Sequence, residues 1–422
     1  MRPLDALQPY KRNFTREGER AVFALLTRLS RGRLKSPEDL IALHETALFL
    51  RAFPHSPRVA RAADRILFSF AQRMRGVDPQ PFDDPAVSGI AGTAVSSNFS
   101  YEFARSLVRR RPSAVSIDWE NYSRPDRLGS VLAPLLPEAQ EDYAVEPHVD
   151  WRAWFERSRR SLSWLLDHTD PRTYDLLEIP ICWSLGDSAG SRSRLRLERS
   201  RMFFHRGPLL KRSDISIRTE LAGPPIRVAS LGRRGAQRAL DVIVDASAAR
   251  YRELFGFLHP DGVHVRHADL GRGVDLYFFG VPPEHRLPKR AYHSGMYFKN
   301  GVPMGYVEAM SRAGQMDLGF NLYYTFREGE TAWLFARILK LLRQELPVSC
   351  FSIDTYQLGQ DNEEAIESGA FWFYRKLGFQ SASEEIARLA AREESKIAAR
   401  PEYRTPAAIL RRLASAPLQL RL

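Results

Sequence analysis

Around residue 300 the chain carries two apolar-rich stretches joined by Asn300-Gly301. A two-residue connection of this type selects a tight hairpin, because both positions must take positive φ and Asn-Gly accepts that at little cost. The dipeptide therefore predicts antiparallel strands over residues 292–299 and 302–310, and with them a sheet in the C-terminal half. Residues 274–279 read as a strand before the hairpin, with Gly271-Arg272-Gly273 a turn ahead of it. After the hairpin, residues 317–326 alternate so that Leu318, Phe320, Leu322, Tyr324 and Phe326 share one face. Shorter strand-like runs occupy 178–184, 201–205 and 214–219.

Helical spacing dominates elsewhere. Ala21, Leu25, Leu26 and Leu29 form one stripe over residues 16–29, a second helix starts at Ser36-Pro37, and a third covers 59–73. A helix over 101–110 leads into a strand at 114–119, and short helices follow around 151–166. Residues 234–258 predict a long helix. Beyond the hairpin the order becomes helix (332–346), strand (348–354), helix (365–377), the last closed by Gly378. Charged helices run from 384 to 414, split by Pro401 and Pro406. These elements give an α+β fold: a mainly helical N-terminal region (1–175), a mixed, mostly antiparallel sheet flanked by helices (176–385), and a helical C-terminal extension (386–422).

Composition excludes several classes of protein. Hydrophobic residues make up 44% of the 422 and charged residues 27%, the balance of a globular chain. No run approaches the roughly 20 apolar residues of a membrane span. The two cysteines, Cys182 and Cys350, sit far apart in apolar contexts, which argues against a disulfide framework and implies a cytoplasmic protein. The net charge is +12, and only eight of the 62 basic residues are lysine. Such a surplus suits an anionic partner, although arginines solvated on helix faces would give the same count. The histidines show no metal-ligand spacing, and there is no P-loop, nucleophile elbow or Gly-x-Gly-x-x-Gly. No metal site is expected.

One segment is more specific. Tyr374-Arg375-Lys376-Leu377-Gly378-Phe379, preceded by Ala370 and following a meander, a strand-to-helix turn and a further strand and helix, resembles the GCN5-related N-acetyltransferase family. The resemblance covers residues 291–382 and extends back towards Ser213. It implies an acyl-CoA-dependent transfer to an amine, with acetyl-CoA or another acyl-CoA as cosubstrate. The N-terminal 200 residues carry no such likeness.

In that family the tyrosine of this helix donates to the leaving thiolate, a role that falls on Tyr374. A phenol near pKa 10 can serve a thiolate whose acid lies near roughly 8.5. The pyrophosphate of coenzyme A would sit at the turn 326–332, where a helix N-terminus offers unpaired amides. The resemblance makes Arg327, Gly329, Thr331, Ala332 and Lys376 the cofactor-binding set. The match is partial: Phe326 takes the usual Gln/Arg position, with Arg327 displaced by one residue. Glu328 and Glu330 also bring carboxylates to the turn, which would repel a pyrophosphate unless they point away. The family's asparagine position holds Glu367, and Asn362 is out of register.

For the base that deprotonates the acceptor, the residues offer Asp354 at a strand end and Glu308 on the hairpin; Glu363, Glu364 and Glu367 lie in the nearby loop and helix. The acceptor is a small-molecule or protein amine. A donor carried on an acidic acyl carrier protein or on tRNA would tolerate a poor pyrophosphate turn, and a non-catalytic scaffold of the same fold is the third alternative.

Overall fold

Asn300 and Gly301 both take positive φ, at 49° and 81°, and the predicted hairpin follows. A Cβ at Gly301 would fall 2.0 Å from the carbonyl oxygen of Leu197, so only glycine fits. The same corner recurs at Arg272-Gly273 and at Ala313-Gly314, again with φ positive at both residues. These three corners, with a longer connection at 281–290 between the first and second in chain order, give an up-and-down meander.

The computed structural model describes residues 3–146, 148–251, 253–400 and 402–422. The chain is an α+β fold with a helical N-terminal part and a large mixed sheet beyond it. Three strands, β1 (Ala94–Ser97), β2 (Val115–Ile117) and β3 (Ile181–Ser184), form a small antiparallel sheet with β3 in the middle. The large sheet holds β4 (Arg227–Ser230), β5 (Arg266–Gly271), β6 (Val274–Gly280), β7 (Ala291–Lys299), β8 (Val302–Arg312), β9 (Gln315–Leu322), β10 (Cys350–Ile353), β11 (Gln380–Ser381) and β12 (Leu418–Arg421). Its order is β11-β12-β10-β9-β8-β7-β6-β5-β4.

Every pair in the large sheet is antiparallel except β9 and β10. That parallel pair is short. Only Gln315, Met316 and Asp317 face Cys350, Phe351 and Ser352, whereas β8 accompanies β9 as far as Leu322. From Leu318 onward β9 has no strand beside it on that flank, and the two strands part. The helix Thr331–Glu345 connects them and packs an apolar face on the sheet, with Phe335 edge-on to Phe320 at 5.2 Å.

The N-terminal helices Arg16–Arg31, Pro37–Ala52 and Pro57–Phe68 begin where Thr15, Ser36-Pro37 and Ser56-Pro57 place their starts. Pro37–Ala52 is buried on several faces because it lies against the rest of the chain. Its Glu45 carboxylate takes two hydrogen bonds from Arg192 Nη2, at 2.9 and 2.8 Å, and one from the Thr325 hydroxyl. His44 beside it contacts Glu45 at 2.9 Å and Ser193 Oγ at 3.0 Å. The Arg192 side chain is 1% exposed.

Several expected elements differ. Residues 201–205 form no strand, since that segment lies over the corners of the meander, where Asn300 Oδ1 accepts from Phe203 N at 2.8 Å. Within 214–219 the chain is a short helix, Ile217–Ala222, capped by Ser216. The long helix stops at Ala248, Phe255–Leu258 forms a separate turn, and Arg252 lies outside the described residues. Tyr324 and Phe326 leave the strand face for a single helical turn, Tyr324–Phe326. The strand expected over 178–184 is β3, which closes the N-terminal sheet across residue 175. Residues 386–422 are more than a helical extension: after Glu384–Ala399 and Ala407–Leu413, β12 inserts between β10 and β11. Pro401 lies outside the described residues. Among the described residues no helix is long and apolar enough to cross a membrane.

Two predictions follow from the Glu45 cluster. Glu45→Gln leaves the Arg192 guanidinium buried without its counter-ion, and chemical denaturation should show a loss of about 3–5 kcal/mol. Burial lowers the His44 imidazole to about 4, against the Glu45 carboxylate that raises it. The unfolded chain binds this proton near pH 6.5, the folded chain only near pH 4. Its contribution to stability is therefore complete above pH 6.5 and is lost as the pH falls towards 4. The thermal midpoint should drop across that window, and His44→Gln should flatten the drop.

Candidate active site

The parting of β9 and β10 opens a cleft of about 390 Å³. Its walls come from three places. Phe320, Asn321 and Leu322 end β9, Arg327 and Thr331 stand at the turn into the next helix, and Tyr374 rises from the helix Ala370–Arg375. Tyr356 and Gln357 of the short helix Thr355–Leu358 after β10, with Asn362 beyond it, form the outer side.

Tyr374 is held by aromatic packing. Tyr297 stacks on Phe320 at 5.7 Å, Phe320 meets Phe335, and Phe335 meets the Tyr374 ring at 5.5 Å. Each such contact contributes roughly 0.5–1.5 kcal/mol and fixes ring orientation. Burial pushes the Tyr374 phenol above its ordinary pKa, and the nearby Asp354 charge adds to the shift. The group stays protonated across the physiological range, so it is a hydrogen-bond donor and not a phenolate.

The turn 326–332 resolves the conflict among its charges. Glu328 points away to Lys11 Nζ at 2.8 Å, and that bond lowers its pKa. Glu330 turns inward, accepting from Arg272 Nε at 2.9 Å and Leu210 N at 3.0 Å, with Lys299 Nζ at 4.0 Å. Neither carboxylate lines the cleft. The first amide of the following helix bonded back is that of Leu334, to Glu330 O at 3.0 Å. The amides of Thr331, Ala332 and Trp333 are therefore its free donors among the described residues. Arg327 stacks on Tyr324, 3.9 Å from the ring centre, and is ion-paired with Glu364.

The other candidate residues scatter. Gly329 serves packing, since a Cβ there would lie 2.8 Å from the Phe53 ring of the N-terminal helix. Ala332 is buried. Lys376 lines a different groove, beyond the end of the Tyr374 helix. Asp354 caps the helix Thr355–Leu358, accepting from Gln357 N at 3.0 Å. Glu308 accepts from the Tyr292 hydroxyl and does not line the cleft. Glu363 is ion-paired with Arg411. Asn362, out of register for the family role, does line the cleft, its Nδ2 held by Tyr356 O at 3.1 Å. Sequence reasoning missed Tyr356, Gln357 and also Tyr306, which lines the cleft from β8; the polar run directly after a short buried strand was the available signal for the first two.

Three clefts of about 1130, 1030 and 510 Å³ are larger, but none of them meets the parted strands. No protein-family model, no curated protein and no solved structure matches this chain.

Burial raises the Glu308 carboxyl, against the Tyr292 hydrogen bond that lowers it. A raised acid costs the folded chain stability once the pH passes its unfolded pKa. Glu308→Gln should therefore stabilise the protein at pH 7.5 relative to the unaltered chain, with the gain disappearing near pH 4. Urea midpoints at the two pH values would measure it.

Proposed function

We propose that the chain is an N-acyltransferase of the GCN5-related type, taking an acyl group from a thioester, acetyl-CoA or a longer acyl-CoA, to an amine. The observation that carries this reading is the buried Tyr374 lining the cleft where the parallel strands part. The thioester would lie between β9 and the Tyr374 helix. Its phosphates would reach the free amides at Thr331 and Ala332, where a helix N-terminus favours negative charge.

The acceptor nitrogen attacks the thioester carbonyl carbon, a C–N bond forms, the C–S bond breaks, and sulfur keeps the electron pair. Because its pKa is raised, Tyr374 serves the developing thiolate as a hydrogen-bond donor, and the thiol takes its final proton from solvent. The proton of the attacking amine passes to a carboxylate or through water. Asp354, close enough for Tyr374 to feel its charge, is the carboxylate we assign, and Glu308 is the alternative. A cytoplasmic location accompanies this reading, since both cysteines are unpaired.

One observation favours a second reading. Arg327 is already engaged by Glu364, so a free pyrophosphate must compete for it. A donor carried on an acidic acyl carrier protein or on aminoacyl-tRNA would not need that contact. A scaffold that has kept the fold without the chemistry would bind neither.

Calorimetric titration with acetyl-CoA and with a long-chain acyl-CoA should show saturable binding, and silence at millimolar ligand would sink the coenzyme A reading. Tyr374→Phe should keep the binding and lower turnover about 100-fold. An unchanged rate would remove Tyr374 from the chemistry.

A further inference from the structure

Carboxylates answer the arginines at several places where they gather. In the cleft of about 1030 Å³ beside the meander corners, Arg199 pairs with Asp275 and Asp269, and Arg272 pairs with Glu330. Arg51 holds Asp64, and Asp245 receives both Arg110 and Arg111. Asp and Glu are missing from the described lining of two clefts: a smaller one of about 510 Å³ at Arg286, Lys289, Arg290 and Arg312, and the groove of about 1130 Å³ at the far end of the helix Thr331–Glu345. Arg218, Lys340, Arg343, Lys376 and Arg421 converge on the larger groove, and no Asp or Glu side chain is among its described lining residues.

None of these five cations forms an ion pair with a described residue. Lys340 is 4% exposed and donates to the Glu220 carbonyl at 2.8 Å, and the Glu220 carboxylate favours its charge without forming an ion pair. Arg343 and Lys376 have a local explanation, because they stand in the last turn and at the C-cap of their helices, where a cation suits the partial negative charge. Arg218 and Arg421 come from two other elements and share no such reason.

Between the cations the floor is aliphatic: Ile217, Leu221, Leu377 and Leu420. The described lining contains no aromatic side chain on which a base could stack, which disfavours nucleic acid. A single-sign rim around an apolar floor is complementary to a segment that is acidic on one face and aliphatic on the other.

We propose that this groove docks an acidic, amphipathic peptide segment of a partner protein. The carboxylates of the segment pair with Arg218, Arg343, Lys376 and Arg421, and its aliphatic side chains cover Leu221 and Leu420. The groove lies on the opposite end of the Thr331–Glu345 helix from the cleft at Thr331, so docking there leaves the cleft open. This role holds whether or not the cleft transfers an acyl group.

Fluorescence anisotropy with a labelled 16-residue helical peptide, Glu on one face and Leu on the other, tests the proposal on the full chain. Saturable binding with Kd of about 10 μM at 0.1 M salt is expected, weakening as salt rises. The double variant Arg218→Glu/Arg343→Glu should weaken it at least tenfold, whereas Arg20→Glu/Arg61→Glu, exposed on the N-terminal helices, should change it less than twofold. Circular dichroism establishes that each variant is folded. Hydrogen exchange on the unaltered chain gives a measurement that needs no variant: the peptide should protect amides in 215–222 and 340–344. Equal weakening in both double variants, protection elsewhere only, or equally tight binding of oligoglutamate or single-stranded RNA of the same length would overturn the proposal.

Discussion

A guanidinium that is 1% exposed can persist only if its charge is answered, and Glu45 answers that of Arg192. The pair does more than neutralise itself. Glu45 belongs to the helix Pro37–Ala52, Arg192 to the segment that returns from the small sheet, and Thr325, which shares the carboxylate, to the turn leaving β9. One buried cluster thus fixes the N-terminal helices against the backbone that shapes the cleft. Two further contacts lie on the same seam. Asn300 Nδ2 donates to Ala52 O at 2.9 Å, and Gly329 lies against the Phe53 ring. The N-terminal part consequently acts as a wall on which the turn 324–332 is set.

The cleft owes its existence to a short parallel pairing. Had β10 continued beside β9 past Asp317, ladder hydrogen bonds would have closed the space that Tyr374 now lines. Instead the chain turns at Asp354, whose side chain caps the next helix, and the aromatic series Tyr297, Phe320, Phe335 and Tyr374 fills the inner side. Burial serves two ends there: it orders the phenol, and it keeps the phenol protonated.

Charge is distributed unevenly along this surface. Arg192, Arg199 and Arg272, near the seam and the meander corners, have carboxylates within reach, whereas elsewhere basic side chains gather in clefts whose described lining holds no Asp or Glu. The groove behind the Thr331–Glu345 helix is such a place. Like charges converging on an apolar floor cost the free protein some self-repulsion, which an acidic ligand would relieve.

Local chemistry made much of the fold legible from the sequence. Asn300-Gly301 required the hairpin, Gly271-Arg272-Gly273 a turn, Ser36-Pro37 a helix start and Gly378 a helix end, because each depends on φ, on a missing N–H or on a cap within a few residues. The alternation that assigned Tyr324 and Phe326 to a strand failed, since the turn is set by Glu45 at Thr325, 280 positions away. The strand β12 was equally invisible: four residues at the end of the chain pair only because β10 and β11 stand ready for them. At the site, the sequence by itself singled out Tyr374 and the turn at 326–332. It could not show that Glu328 and Glu330 point away, that Gly329 serves Phe53, or that Glu308 belongs to Tyr292. Those outcomes depend on which distant side chain arrives first at a hydrogen bond or a cavity, and only tertiary packing decides that.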